Sequence, residues 1–491
     1  MGERGRRGAG SAVAAVAAAL GLLLVAGGSA GTVLAHPISS DPYTNPDSQH
    51  ATQVEPDSFA YGDTIVAAFQ TGRFFSGGAS NLGWATSTDS GRHWTTGMLP
   101  GTTINAGGPW ARISDPAVAY DAEHDVWMIS GLAFGTASSP FGSPRAILTS
   151  RSTDGGLTWQ NPVTVSLSPS RYDKNWIVCD NWPSSPHYGN CYTEWDDNGQ
   201  GNLLLMSTST DGGLNWGLEL TPAGSPSGLG GQPIVQPNGT VVVPYSANYG
   251  SIRAFRSTNG GATWSSAALV ASQSQHSVAA GLRDPPLPSA EVDGSGKVYV
   301  VWHDCRFRSG CSANDIVMST STDGVAWSAA TRIPIDPTSS GVDHFIPGIG
   351  ADTATFGSDA HLALTYYYYP VSSCTLSTCQ LTAGFVSSLD GGATWTPPTP
   401  LTGPMNVSWV AETSQGRMVG DYVSTSFTGD GKAHPIFAIA KAPTGSVFSE
   451  RAAAASFDIT APQVSSRVRA GKRPVYRGRS GPDAPKSPTA N

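Results

Sequence analysis

The sequence predicts an all-β fold assembled from repeats, and three observations lead to this prediction. First, the octapeptide STDGGLTW at residues 152–159 returns in varied form five more times, with successive tryptophans 65, 57, 48, 63 and 68 residues apart. Second, the 491 residues include 58 glycines and only 13% charged residues, as expected for many short strands joined by turns. Third, apolar residues flank the octapeptide at 146–148 and 163–165, which indicates the two strands of a hairpin. A repeat of this size matches one four-stranded blade of a β-propeller.

The residue types of the octapeptide explain why it forms a turn. A serine followed two residues later by Asp or Asn can accept hydrogen bonds from nearby backbone N–H groups. The glycine pair supplies the positive φ that a hairpin turn requires, and the tryptophan buries a large ring. The six copies are residues 87–94, 152–159, 209–216, 257–264, 321–327 and 388–395.

The octapeptide resembles the Asp box, also called the BNR repeat, of the sialidase superfamily. The resemblance covers about residues 49 to 450. It implies a propeller in which the boxes lie on outer hairpins between the third and fourth strands, away from the ligand site, and have a structural role.

Seven units follow one another along the chain, each opening on an apolar strand with a polar entrance. The seventh unit has no octapeptide, and residues 36–48, otherwise a polar lead-in, could supply its outer strand. We therefore expect seven blades, with the six common in sialidases as the alternative. The units open at residues 53–57, 113–120, 172–178, 231–235, 283–286, 343–347 and 419–423.

The two ends of the chain differ from the repeats. Three arginines precede an apolar run at 12–25, and residues 33–35 fit a cleavage site, so residues 1–35 are predicted to be a signal peptide. A membrane anchor is the competing interpretation, although the run is short. We expect a secreted protein with a propeller at 49–461, no membrane span after cleavage, and a monomeric state.

Charge is distributed unevenly. The whole chain carries −8, with +2 in residues 1–35 and +6 in residues 462–491, so the segment between them carries −16. An acidic body argues against nucleic acid as a partner. The basic segment 462–491 lacks apolar periodicity, and we expect it to be disordered and to adhere to anionic surfaces.

The six cysteines fall into three close pairs: Cys179 with Cys191, Cys305 with Cys311, and Cys374 with Cys379. In an exported chain such pairs predict three local disulfides. A zinc site would need further His or Cys at ligand spacing, so we expect no metal and no cofactor.

In a propeller the first strand of each blade lines the central channel, so the polar entrances should meet at one funnel. Aligning the seven units collects Asp57, Asp115, Asp173, Lys174, Gln232, Arg283, Asp284, Asp343, His344, Asp421 and Tyr422. The alternative is that these groups only turn the chain into its strands.

The resemblance to sialidases implies roles by position. Three arginines would grip the carboxylate of an acidic sugar, for which Arg112, Arg283 and Arg417 are the candidates, assisted by Lys174, Gln232 and His344. An aspartate would act as acid/base, either Asp115 or Asp284, and Tyr422 would be the nucleophile with Glu412 as its partner. The Arg-Ile-Pro motif of the family occurs only at 332–334, after the fifth octapeptide in an outer strand.

Three classes of function remain open. One is a glycoside hydrolase of exo-α-sialidase type acting on extracellular glycans, favoured by the arginines. The second is a non-catalytic propeller that binds glycans or proteins, favoured by the displaced Arg-Ile-Pro motif. The third is another hydrolase or lyase acting on polysaccharide.

Overall fold

The computed structural model describes residues 35–459, and this part of the chain is all-β. Within it there is no α-helix, and no helix is long and apolar enough to cross a bilayer. The predicted signal peptide and the basic segment 462–491 lie outside the described residues, except for Ala35.

Within residues 35–459, the strands after β1 (His36–Pro37) form seven consecutive antiparallel meanders. Meander 1 is β2 (Gln49–Tyr61), β3 (Thr64–Arg73), β4 (Ala79–Ser87) and β5 (Thr95–Met98). Meander 2 is β6 (Trp110–Asp121), β7 (Val126–Thr136), β8 (Ser139–Ser152) and β9 (Val163–Leu167). Meander 3 is β10 (Tyr172–Cys179), β11 (Cys191–Asp197) and β12 (Leu203–Ser209). Meander 4 is β13 (Ile234–Val235), β14 (Val241–Ala247), β15 (Ser251–Ser257) and β16 (Ala268–Ser272).

Meander 5 is β17 (Ser289–Val292), β18 (Val298–Asp304), β19 (Asp315–Ser321) and β20 (Thr331–Arg332). Meander 6 is β21 (Asp343–Ala351), β22 (Leu362–Tyr369), β23 (Gln380–Ser388) and β24 (Thr399–Pro400), with β25 (Met405–Asn406) also paired to β23. A small hairpin, β26 (Glu412–Thr413) and β27 (Gly416–Arg417), precedes meander 7. Meander 7 is β28 (Ser424–Phe427), β29 (Lys432–Thr444) and β30 (Val447–Ala454), and β31 (Phe457–Asp458) pairs with β29.

Six short 3-10 turns connect these strands in the described range. They are Ile104–Ala106, Asn198–Gln200, Ala279–Gly281, Ser309–Cys311, Gly357–Asp359 and Val407–Trp409.

The core lies between successive meanders. Leu82 and Trp84 of meander 1 pack against Ile113 and Ile129 of meander 2, and similar clusters join meanders 2 to 6 in chain order and meander 7 to meander 1. The first strands also contact one another in chain order, from β2 to β21, and β28 contacts both β21 and β2. Each fully buried large apolar side chain stabilises such an interface by roughly 1.5–3 kcal/mol. The first strands are therefore held side by side by the apolar faces of the sheets.

The octapeptide turns lie where the sequence predicts them. Each begins at the last residue of a third strand, as at Ser87, Ser152 and Ser388. In the second copy the Asp154 carboxylate accepts hydrogen bonds from the backbone N–H groups of Leu157 (3.1 Å) and Thr158 (2.9 Å). The Ser152 hydroxyl accepts one from the backbone N–H of Gly156 at 3.0 Å. The predicted turn chemistry is confirmed.

The three predicted disulfides are also confirmed: Cys179–Cys191, Cys305–Cys311 and Cys374–Cys379. Each closes a loop of 12 residues or fewer.

Three first strands begin later than the sequence prediction, because proline and glycine interrupt the ladder before the apolar run begins. Meander 4 begins at Ile234, three residues after the predicted opening at 231. Meander 5 begins at Ser289, so Arg283 and Asp284 lie in the preceding loop, and meander 7 begins at Ser424. The expected contribution of residues 36–48 to meander 7 is confirmed, because β1 pairs antiparallel with β30, His36 opposite Ala454.

Candidate functional site

Four first strands carry a β-bulge at equivalent positions, and this feature builds the site. The register shifts at Glu55, Asp115, Lys174 and Ile346, whose φ angles are 55°, 49°, 49° and 50°. A non-glycine residue in the left-handed region costs of order 1–3 kcal/mol and is often found where function requires it. A bulge also re-aims its side chain relative to the strand.

Three of these bulge residues meet in one buried ion cluster. The Lys174 Nζ lies 3.1 Å from the Asp115 Oδ1 and 3.3 Å from the Glu55 Oε1, and it also contacts Asp421. Arg283 pairs with the same Asp421 oxygen, Oδ2, that Lys174 contacts. Lys174 is only 5% exposed. Its charge is balanced by carboxylates from three meanders or their entrances.

The charges in this ion cluster determine its protonation. Burial alone would raise the pKa of Asp421, but Arg283 and Lys174 outweigh it and hold that pKa well below its ordinary value. Burial alone would lower the pKa of Lys174, but Asp115, Asp421 and Glu55 raise it well above its ordinary value. Lys174 and Asp421 are therefore a fixed pair of opposite charges.

Beside the ion cluster is a cavity of about 250 Å³, here called the arginine cavity, whose wall includes Arg73, Arg112 and Arg283. Glu55, Asp115 and Asp173 line the same space. The three guanidinium groups come from three different segments: the end of β3, the start of β6 and the loop before β17. The arginine cavity therefore combines three guanidinium groups with three carboxyl groups.

The arginines are positioned by their surroundings. Arg73 donates from Nη1 to the Gly78 carbonyl oxygen at 3.0 Å, and its buried Nε has no hydrogen-bond partner among the described residues. The Arg112 guanidinium lies over the rings of Phe134 (4.5 Å) and Phe74 (5.6 Å). Gly78, at φ +74°, must be glycine because a Cβ there would lie 2.2 Å from Phe134.

Two carboxyl groups of the cavity have raised pKa values. Burial, and then the charge of Asp115, raises the pKa of Asp173 to about 6. Burial also raises the pKa of Glu55 to about 7, although the Lys174 charge opposes the change. Below neutral pH both groups bind protons, and the arginine cavity becomes net positive.

Several predicted residues do meet here. Arg112, Arg283, Asp115 and Asp173 line the arginine cavity, and Lys174 and Asp421 lie in the adjoining ion cluster. The alignment of strand entrances therefore identified a real spatial cluster.

Other predicted residues lie elsewhere. The side chain of Arg417 donates to the Val410 carbonyl oxygen at 2.6 Å and pairs with Glu412 at 3.7 Å, because the β26–β27 hairpin turns it away from the cavity wall. Glu412 is 64% exposed, and its carboxylate pairs with Arg417. The Tyr422 hydroxyl donates to the Pro116 carbonyl oxygen at 2.8 Å, and burial raises the Tyr422 pKa well above its ordinary value.

Asp284, Gln232 and His344 also lie outside the arginine cavity wall. Asp284 accepts a hydrogen bond from the Gln275 side chain at 2.9 Å. Gln232 exchanges hydrogen bonds with the backbone of Ala290, which ties meander 4 to meander 5. His344 is buried beside Tyr366, with its pKa lowered to about 4 mainly by burial.

Two residues at the site, Glu55 and Arg73, were missed by the sequence alignment. Glu55 lies two residues before Asp57, the residue chosen in the sequence alignment. The β-bulge between them, and not the alternation of side chains along the strand, determines which of the two faces the ion cluster. Arg73 ends a second strand, and only hairpin pairing places it beside the start of β2.

One further group of possible ligands exists among the described residues. Oxygen and nitrogen atoms of Asp315, Asp336 and His344 lie within 4.8 Å of one another. Arg308 pairs with both aspartates at 2.6 and 2.7 Å, so arginine already balances their charge.

The fold and site define an all-β protein of consecutive antiparallel meanders with an arginine-lined cavity beside a buried ion cluster. No protein-family model and no curated protein matches the sequence. Among solved structures, the chain is similar to the Hadza microbial sialidase Hz136 at 14% identity and a TM-score of 0.43, covering 86% of this chain and 68% of that one.

Two other similar structures have comparable scores. The NanB sialidase of Streptococcus pneumoniae is 12% identical with a TM-score of 0.44, covering 86% of this chain and 71% of that one. A Dyadobacter fermentans protein of unknown function is 16% identical with a TM-score of 0.44, covering 72% and 99%. Scores this low do not identify equivalent residues, so the function is argued from the site itself.

Proposed function

We propose that this protein is an exported seven-bladed β-propeller that acts on extracellular glycans bearing a carboxylate. The propeller is supported by the order of contacts, in which each first strand packs beside the next and β28 packs beside β2. Export is supported by three disulfides, which persist in oxidising compartments.

The chemical class of the proposed ligand is inferred from the arginine cavity. Arg73, Arg112 and Arg283 line one space, and a guanidinium group matches a carboxylate with two parallel hydrogen bonds. The unpaired Nε of Arg73 is a donor that a ligand carboxylate would satisfy. Protonation of Glu55 and Asp173 removes competing negative charge from the same wall.

The proposed reaction is hydrolysis of the glycosidic bond of an acidic sugar. A general acid needs a pKa near the working pH, and Asp173, at about 6, meets this condition while lining the cavity. Asp173 would protonate the leaving oxygen as its bond to the anomeric carbon breaks, and a water molecule would then add to that carbon and return a proton to Asp173. Asp115, paired with Lys174, would stabilise the positive charge that develops on the sugar.

A second candidate function is glycan binding without catalysis. It is favoured by Tyr422, whose hydroxyl is engaged by Pro116 and whose ring packs against Trp176 at 5.0 Å. A neutral, buried phenol is a poor nucleophile, so the role that the sialidase resemblance implies for Tyr422 is not supported.

The test compares Arg283→Ala with Arg417→Ala, because both arginines were sequence candidates and only Arg283 lines the cavity. Loss of one charged contact should weaken glycan binding by roughly 1.5–3 kcal/mol, which is about 10- to 150-fold. Glycan-array binding and hydrolysis of a fluorogenic sialoside are measured on both variants and on the wild type, with circular dichroism as a check on folding.

Arg417→Ala should leave both binding and hydrolysis within about twofold of the wild type. Lost hydrolysis in Arg283→Ala supports the enzyme, whereas lost binding by a protein that never hydrolyses supports the second candidate. Equal loss in both variants, or no loss in either, would contradict the assignment of the arginine cavity.

A further inference from the structure

The fourth octapeptide turn, residues 257–264, carries asparagine where the other five copies carry aspartate. The Asn259 Oδ1 accepts hydrogen bonds from the Ser257 hydroxyl at 2.9 Å and from the backbone N–H of Thr263 at 3.0 Å. The Asn259 Nδ2 donates to the Thr263 hydroxyl at 2.8 Å. Asn259 is itself exposed to solvent. Two donors are therefore aimed at the amide oxygen of an exposed asparagine.

The residue after this asparagine is a glycine that the fold requires. Gly260 has a φ of +67°, and a Cβ at this position would lie 2.7 Å from the His187 Nδ1, so any larger residue would be both strained and crowded. Among residues 35–459, no group accepts a hydrogen bond from the backbone N–H of Gly260. The Gly260 nitrogen is therefore neither shielded by a side chain of its own nor held by a hydrogen-bond partner.

The sequence contains two other Asn-Gly pairs, at 198–199 and 238–239, and both differ from the first at this nitrogen. The backbone N–H of Gly199 donates to the Arg171 carbonyl oxygen at 3.3 Å, and that of Gly239 donates to the Gln236 carbonyl oxygen at 2.8 Å. A nitrogen that donates such a bond must lose it before it can attack a neighbouring carbonyl carbon, which slows the attack about 2- to 13-fold. Only the pair at 259–260 combines an activated amide with an unbound nitrogen among the described residues.

We propose that Asn259 is a self-modification site, at which the folded chain converts this asparagine to aspartate with water as the only co-reactant. In the first step the Gly260 nitrogen bonds to the Asn259 Cγ and the Cγ–Nδ2 bond breaks. Ammonia leaves with the proton of the Gly260 N–H, and a cyclic imide remains. In the second step water adds to Cγ, the bond from Cγ to the Gly260 nitrogen breaks, and that nitrogen regains a proton from the water.

The turn favours both steps at the same carbon. Donors aimed at an oxygen that gains negative charge stabilise the transition state. The Ser257 hydroxyl and the Thr263 N–H are aimed at the oxygen on Cγ. Addition of water at the other imide carbonyl, the former backbone carbonyl of Asn259, would give isoaspartate instead. Because the donors activate Cγ, the ordinary backbone is restored and the product is aspartate.

Aspartate is the residue that this turn holds elsewhere in the molecule. In the second copy, which also has threonine four residues later, the Thr158 hydroxyl donates to the Asp154 Oδ2 at 2.6 Å. The Thr263 hydroxyl, which accepts from Asn259 before conversion, would donate in the same way afterwards. A carboxylate accepts hydrogen bonds more strongly than an amide oxygen. The product therefore fits the existing backbone of the turn.

The proposal is tested by incubating the full folded chain at mildly alkaline pH and following the three Asn-Gly pairs by peptide mapping with mass spectrometry. Conversion at Asn259 should be about 2- to 13-fold faster than at Asn198 or Asn238. The difference should disappear in concentrated urea, where the turn is lost. Equal or slower conversion at Asn259 in the folded chain, a difference that persists in urea, or isoaspartate as the main product would each overturn the proposal.

Two serine variants separate activation by the turn from simple exposure of the asparagine. Ser257→Ala removes one donor to the amide oxygen and should slow conversion at Asn259 about 2- to 13-fold. Ser209→Ala, which removes the equivalent serine of the third copy, is the matched control and should leave the rate at Asn259 unchanged. If the turn merely restrained the asparagine, its loosening in Ser257→Ala would speed conversion. A faster or unchanged rate in that variant would therefore contradict activation by the turn.

A third measurement concerns the product. Asn259→Asp, which supplies the product directly, should melt no lower than the wild type, because the five other copies hold aspartate in the same turn. Asn259→Ala, which loses the hydrogen bonds to Ser257 and Thr263, should melt lower than both. A melting temperature of Asn259→Asp below that of the wild type would show that aspartate does not fit this turn and would overturn the proposal.

Discussion

The two ends of the first strands differ in charge, although the same strands build both. At one end, three arginines line the cavity and a buried lysine lies beside it. At the other end is an acidic channel, formed by two adjoining spaces of about 60 and 280 Å³, whose described lining includes Asp57, Glu291 and Asp352 and no Lys, Arg or His. The difference arises within a few residues of β2, where Glu55 belongs to the first space and Asp57 to the second. A bulge between them assigns the two acidic side chains to opposite ends.

A repeat fold can therefore place opposite charges at the two ends of the same strands. Paired charges accumulate where bulges break the alternation, and the apolar strand centres between the two ends exclude competing ions. The lysine at the arginine end is the residue on which that separation depends most.

The largest expected effect is that of Lys174→Met. Removal of the cation leaves Glu55, Asp115 and Asp421 without their shared partner, and breaking a buried pair in this way costs about 3–5 kcal/mol. Urea unfolding at pH 7 measures the loss. Lys441→Met, at an exposed lysine of β29, is the control and should change stability by less than about 0.5 kcal/mol.

The destabilisation caused by Lys174→Met should be smaller at low pH, where the carboxyl groups left without a partner become protonated. A destabilisation of equal size at pH 4 and pH 7 would contradict the ion cluster as its cause.

An intermediate effect is expected for the pH dependence of acidic-glycan binding. The pKa values of Asp173 and Glu55 are raised to about 6 and about 7, so both groups are neutral below these values and negative above them. Affinity should therefore fall as pH rises from 5 to 8, by roughly tenfold for each repulsive charge that appears. Isothermal titration calorimetry at four pH values measures the trend.

Glu55→Gln should flatten this pH profile, because its side chain stays neutral throughout. Glu412→Gln, at a side chain 64% exposed outside the cavity, should keep the wild-type profile. An identical slope in all three proteins would exclude Glu55 as a source of the pH dependence.

The smallest expected effect tests whether the two ends are independent. Among residues 35–459, none lines both the arginine cavity and the acidic channel. Changes at separate sites usually add within about 0.3–0.5 kcal/mol, so Glu291→Gln should alter acidic-glycan affinity less than twofold. A double-mutant cycle of Glu291→Gln with Arg112→Ala measures the coupling, and a coupling above about 1 kcal/mol would mean that the ends communicate.

The sequence predicted the strands and turns well because their signals are local. The serine and the Asp or Asn of each copy accept hydrogen bonds from backbone N–H groups within four residues, so the pattern alone specifies the turn. The three disulfides could also be predicted from the sequence, because the two cysteines of each pair are close together in the chain.

The site was predicted only in part because it depends on register and on pairing between distant strands. Aligning the first strands found Asp115, Lys174 and Arg283, whose positions follow from the start of each unit. It missed Arg73, which reaches the cavity only through hairpin pairing, and it retained Arg417, whose side chain a local hairpin redirects. Bulges were the main obstacle, because one extra residue exchanges the two faces of a strand.

The pairing of β1 with β30 has a consequence for how the molecule is made. The Ser39 hydroxyl accepts a hydrogen bond from the backbone N–H of Ala452, 413 positions later, whereas the disulfides join residues only 12, 6 and 5 positions apart. A nascent chain must therefore hold its first strand unpaired until nearly the whole polypeptide has been synthesised. The contact between the two ends is non-covalent, so reducing agents will not release it, and it cannot form before residue 452 has been synthesised.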